Sequence, residues 1–162
     1  MILGMSISTF TTLHVVISLI AIVSGLVVVW GLLTTNRASS LTSLFLITTV
    51  LTTLTGFLFP ITAFTPAIGV GIVSSVILVF TLAAIYAFRL RGPWRWIYVG
   101  GAVLSLYLNV FVLVVQSFQK VPALNAFAPT GAEPPFAIVQ GIVLVAFILL
   151  GLISLRRFHP IA

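Results

Sequence analysis

From Met1 to Asn36, and again from Ala38 to Phe88, the chain contains no Asp, Glu, Lys or Arg. A water-soluble domain cannot be built that way, because about a quarter of the residues in such domains are charged and polar groups must cover the surface. Across all 162 residues only 5% are charged, 61% are hydrophobic and the mean hydropathy is +1.36. The solvent for most of this chain is therefore lipid.

The few charges and the prolines divide the apolar sequence into five runs, each near the roughly 20 residues that cross a hydrocarbon layer. They cover residues 9–33, 40–59, 67–88, 94–118 and 135–155. Nothing basic precedes Thr9 and the first run is longer than a signal-peptide core, so it is expected to remain a span. In lipid every backbone amide must be paired within its own segment or in a closed barrel, and runs this long and uniform suit helices rather than barrel strands. The expected fold is all-α, a polytopic membrane protein made of one antiparallel bundle of five transmembrane helices. Short connections make the first four spans sequential neighbours. No internal repeat or second domain is visible, and the odd number of spans weighs against the two-halves construction common in transporters.

The net charge of +6 would suggest a nucleic-acid partner in a soluble protein. Here the cations sit at the ends of apolar runs, where they act as topology anchors: Arg37, Arg89, Arg91, Arg95, Arg156 and Arg157 on one side, with Lys120 and the single acid, Glu133, on the other. The positive-inside rule then places the C-terminus in the cytoplasm and the N-terminus outside. Trp30, Trp94, Trp96 and Tyr98 fall near the same boundary as the arginines, where amphipathic rings anchor.

Helices in lipid associate through small and polar residues at helical spacing. His14, Ser18, Ala21 and Gly25 form such a stripe in the first span, and Gly101, Ser105, Asn109 and Gln116 in the fourth. The second span is rich in threonine: Thr48, Thr52 and Thr55 align, flanked by Thr49 and Thr53. Hydroxyls of this kind are expected to bond the carbonyl one turn back in their own helix.

Ionisable and amide groups at membrane depth are candidate sites. They are His14, Asn109, Gln116 and Gln140, with Gln119, Lys120 and Glu133 at the outer rim. At about 1.5 Å per residue, His14 and Gln140 fall roughly 6 Å inside their helix ends, in one layer with Gln116. This depth suggests a polar ligand pocket walled by the first, fourth and fifth spans and roofed by the loop from Gln119 to Pro135. The competing expectation is that His14 and Asn109 simply bond neighbouring helices. Glu133, just ahead of Pro134 and Pro135, also suits a helix start, where a carboxylate complements the positive dipole end.

Much chemistry is unsupported by the residues. There is no cysteine, which removes thiol nucleophiles and thiolate metal sites, and no metal-ligand cluster or paired carboxylates. His14 and His159 lie at opposite ends of the expected bundle and cannot share one haem. No carboxylate or lysine lies within a span, as a pump would require. No catalytic residue is expected.

The stretch from Leu106 to Leu124, with Asn109, Gln116, Gln119 and Lys120, followed by Ala128-Pro129-Thr130 and Glu133-Pro134-Pro135-Phe136, resembles a family of small bacterial multi-pass membrane proteins with no assigned activity. The resemblance extends over Thr55-Gly56-Phe57 and from Gly92 to Tyr98. It implies a bacterial integral membrane protein and transfers no site residue. The leading expectation is a non-catalytic accessory or scaffold subunit, packing with other membrane subunits or with itself. A redox-linked module holding quinone or haem in the outer pocket is the alternative cofactor reading, and a small-solute transporter a further one.

Overall fold

The computed structural model describes residues 1–35, 39–60 and 64–159, so Arg37 lies outside the described residues. Helix α1 spans Ile7–Thr34 and starts where the Ser6 Oγ accepts the Thr9 N–H at 3.1 Å. Such a cap contributes about 1 kcal/mol. Helix α2 covers Ser39–Phe57. Helix α3, Pro66–Leu82, starts on the Thr65 hydroxyl with Pro66 in its first turn, where a missing N–H costs nothing. It widens into a π-helical segment, Ala83–Ala87, that carries the span on to the arginines. Helix α4 covers Trp94–Lys120, the short α5 Pro122–Asn125, and α6 Pro134–Arg157.

Among the described residues five helices are long and apolar enough to cross a membrane: α1, α2, α3 with its π-helical extension, α4 and α6. There is no β-strand among those residues; Ile2 and Met5 form one isolated bridge ahead of α1. The molecule is an all-α polytopic bundle, and its helix limits fall within a few residues of the apolar runs.

The helices are not five equal staves. Helix α1 packs on α2 and α4, and α3 packs on the same two, closing a four-helix ring in sequence order. Helix α6 lies outside the ring against α1 and α4, and Ser154 is its one buried residue. Chain direction alternates, so Thr34, Arg89, Trp94 and Arg157 share one end of the bundle and Ile7, Phe57, Lys120 and Pro134 the other. The Thr35 hydroxyl donates to the Arg157 carbonyl at 3.2 Å and Arg95 donates to the Phe158 carbonyl, tying the last turn to the arginine end.

The main apolar core fills the arginine half, where Val28, Phe45, Leu78, Val99, Leu106 and Phe158 are buried together. Gly25 allows the close approach there: a Cβ at this position would lie 2.7 Å from Leu106 on α4 and from Phe45 on α2. A methyl at Gly101 would collide with the Thr81 hydroxyl of α3. Buried hydroxyls occur along the whole bundle, with Thr42, Thr81 and Ser154 toward the arginine end, while the amide and imidazole side chains of Gln116, Gln140 and His14 lie in the lysine half.

Candidate functional site

His14, on the second turn of α1, is half-buried and faces α2. Its Nδ1 lies 2.7 Å from the Thr55 Oγ1, and its ring meets Phe59 edge-on at 5.4 Å. Phe59 in turn packs edge-on against the fully buried Phe10 at 5.1 Å. The same Thr55 hydroxyl sits 2.7 Å from the Leu51 carbonyl. Two oxygens that close need a proton between them, and the carbonyl has none, so the hydroxyl donates to Leu51. It follows that His14 donates through Nδ1–H, and that in the neutral ring Nε2 carries the lone pair.

The hydrogen bond of His14 does not follow the walls drawn for the expected pocket. Its walls were expected to be the first, fourth and fifth spans, yet His14 is held by the second, because Thr55 offers an acceptor at matching depth. No hydrogen bond joins His14 to Gln116 or Gln140 among the described residues. Gln140 instead donates from Nε2 to the Phe111 carbonyl at 3.1 Å, linking α6 to α4. Asn109 donates from Nδ2 to the Thr49 Oγ1 at 3.3 Å, across the ring from α4 to α2.

Three buried oxygens in this half have no hydrogen-bond partner: Thr52 Oγ1, Gln116 Oε1 and Gln140 Oε1, one each from α2, α4 and α6. Counted at about 1.5 Å per residue from the helix ends, all three and His14 fall roughly 6–10 Å inside the lysine end. Ser105 Oγ and Ser154 Oγ, toward the arginine end, are likewise without a partner, so unpaired buried oxygens are not confined to this layer. Thr48, Thr53 and Thr55 do bond carbonyls one turn back, at 2.7, 3.0 and 2.7 Å. The sequence reading stopped at those bonds and missed that Thr49 and Thr55 also serve as acceptors for other helices. A hydroxyl that has donated its proton still keeps lone pairs, and that was the available signal.

At the rim, Gln119 and Lys120 are exposed at the end of α4. Glu133 is the N-cap residue of α6, but its carboxylate makes no capping bond into the helix. The loop offers it closer donors: the Thr130 N–H at 3.1 Å, the Thr130 hydroxyl at 2.9 Å and the Ala132 N–H at 3.1 Å. Desolvation pushes the Glu133 carboxyl up, but hydrogen bonds from Thr130, its own N–H and Ala132 outweigh that and hold it below its ordinary value. The loop itself is folded: Asn125 donates to the Phe118 carbonyl at 3.1 Å, Ala128 is buried, and Phe118 meets Phe136 edge-on at 5.5 Å.

Among the described residues no three His, Cys, Asp or Glu side chains come together to hold a metal. At the arginine end, Arg89 and Arg91 are exposed and Arg156 and Arg157 occupy the last turn of α6, where cations complement the helix dipole. Comparison with protein families, curated proteins and solved structures finds no match for this chain.

Proposed function

We propose that this chain is a non-catalytic integral protein of a bacterial inner membrane, with its arginine end in the cytoplasm, serving as an accessory or scaffold subunit. The observation that carries the reading is the position of α6. The ring of α1 to α4 closes without it, and α6 leaves most of its surface free. Its exposed Ile138, Ile142, Val145, Leu149 and Leu152 follow one another at alternating steps of four and three. That spacing is the seam used in left-handed helix pairing, in membranes as in water. The seam suits a helix of another membrane subunit or of a second copy.

The chain has no cysteine, so Ile142→Cys introduces a single thiol. Oxidative crosslinking in native membranes should trap Ile142→Cys in a covalent adduct of two copies or with one reproducible membrane protein. Leu104→Cys, exposed on α4 without such a row of exposed neighbours, should stay uncrosslinked. A variant that remains monomeric at Ile142, together with a strictly monomeric protein in mild detergent that co-purifies with nothing, overturns the reading.

The tautomer of His14 favours a second reading, a redox-linked ligand site. A histidine that donates Nδ1–H and offers Nε2 is arranged as metal-ligating histidines are, and it can also accept from the hydroxyl of a quinol. A Soret band, or quinone in an organic extract of the purified protein, supports this reading; the absence of both removes it.

A further inference from the structure

Between the end of the π-helical segment and the start of α4 lies a cleft of about 260 Å³, lined by Ala87, Phe88, Arg89, Arg91 and Trp94. A single water needs only about 10–15 Å³ of such volume, so the cleft admits a group of many atoms. We propose that it binds the phosphodiester headgroup of an anionic phospholipid. The assignment requires that the chain sit in a bilayer and is independent of any docking by α6.

Charge is the first argument. The chain has seven cations and one acid, and that acid, Glu133, is held by its own loop at the opposite end of the bundle. Arg95 is committed internally, donating to the Phe158 carbonyl with its Cζ 4.8 Å over the Trp96 ring. The side chains of Arg89 and Arg91 have no hydrogen bond or ion pair among the described residues, and both are exposed. No acidic side chain lies at this end of the bundle, and the anion abundant at a membrane boundary is phosphate.

The backbone also brings both arginines to one depression. Arg89, Leu90 and Gly92 have φ of +49°, +60° and +54°, a conformation that non-glycine residues seldom adopt. Leu90 holds the turn, because its side chain is buried in the core and its N–H bonds the Ala84 carbonyl at 2.9 Å. With Leu90 drawn inward, Arg89 and Arg91 on either side of it stay at the surface. Beside them Phe88 and Trp94 stack face to face, 3.7 Å between centroids and 4° from parallel. Two forked donors lining one depression together with a stacked aromatic pair suit a phosphate with a glycerol backbone attached.

The test is titration of the detergent-solubilised protein with phosphatidylglycerol, counting retained lipid by native mass spectrometry, with phosphatidylcholine as the neutral comparison. Arg89→Gln with Arg91→Gln should weaken phosphatidylglycerol binding about 25-fold, from about five-fold per arginine. Arg156→Gln with Arg157→Gln removes the same charge and should change it less than about two-fold, being outside the cleft. Equal weakening in both pairs, or none in the first, overturns the proposal. If the glutamine pair fails to fold, Arg89→Lys with Arg91→Lys keeps the charge and should still weaken binding several-fold by losing the forked geometry; unchanged binding there overturns it. A final arm adds inorganic phosphate, which should fail to displace the lipid. Displacement at equal concentration would make the ligand a free anion and overturn the lipid assignment.

Discussion

The His14 Nδ1–H donates to the Thr55 hydroxyl at 2.7 Å, joining α1 to α2 at a depth where water is scarce. The bond fixes which ring nitrogen remains an acceptor, so it bears on both stability and any ligand chemistry. Interhelical hydrogen bonds in membranes are worth about 0.6 kcal/mol on average and up to about 1.7. Thr55→Val should therefore destabilise the protein by about 1–2 kcal/mol, since His14 is left with an unpaired donor. Thr55→Ser should retain wild-type stability. Unfolding in mixed micelles measures the difference, and the ¹⁵N shifts of His14 should report the loss of a fixed tautomer in the valine variant alone.

Asn109 and Thr49 form a weaker tie across the ring, at 3.3 Å. Thr49 is almost fully buried, so its methyl group packs whether or not the bond forms. Asn109→Leu should cost about 0.6 kcal/mol or less, and Thr49→Val a similar amount. A double-mutant cycle should recover a coupling no larger than the single effects. A coupling above about 2 kcal/mol would mean that the pair does more than join helices.

These two bonds mark how far the sequence could be read. The five spans were legible because the length of an apolar run and the prolines and arginines that end it are physical requirements of a bilayer. The choice of His14 and Asn109 was legible because polar groups in hydrocarbon are expensive. Which helix each would face was not, since acceptors occur on several spans and only the ring order of the helices brings both His14 and Asn109 against threonines of α2. The peripheral place of α6 was hidden for a related reason. In water, a helix on the outside reveals itself by a polar face, whereas in lipid its outer face is Ile138, Ile142 and Val145. The cleft at Arg89 and Arg91 depends on left-handed backbone at Arg89 and Leu90, residues that give no such signal.

Gly25 and Gly100 give a paired prediction about packing. A Cβ at Gly25 would lie 2.7 Å from the buried side chains of Phe45 and Leu106, whereas one at Gly100 would meet nothing within 4 Å. Gly25→Ala should therefore destabilise by about 1–3 kcal/mol through overpacking. Gly100→Ala should be neutral or gain up to about 1 kcal/mol from helix propensity. Thermal unfolding in detergent, followed by helicity, separates the two. Equal effects would mean that α1 does not approach α2 and α4 as closely as Gly25 allows.

Glu133 is the chain's single acidic side chain, so its titration can be followed without overlap from another. Desolvation works to raise it, but the donors from Thr130, its own N–H and Ala132 prevail, and the folded loop holds the carboxyl below its ordinary value. With the folded value the lower of the two, the opened loop binds more protons in the interval between them. The loop's extra stability is thus fully present above the ordinary carboxylate value and is lost as the pH falls through the folded one. Carbon-13 NMR of the Glu133 carboxyl should give a midpoint below that of an exposed glutamate. Thr130→Ala removes the hydroxyl donor and should move the midpoint upward, and the protection of the Ala132 amide, exchange being corrected for its intrinsic pH dependence, should fall on acidification in the wild type but not in Glu133→Gln. A midpoint at or above the ordinary value would mean that the loop does not hold the carboxylate, and that the start of α6 is set by Pro134 and Pro135 alone.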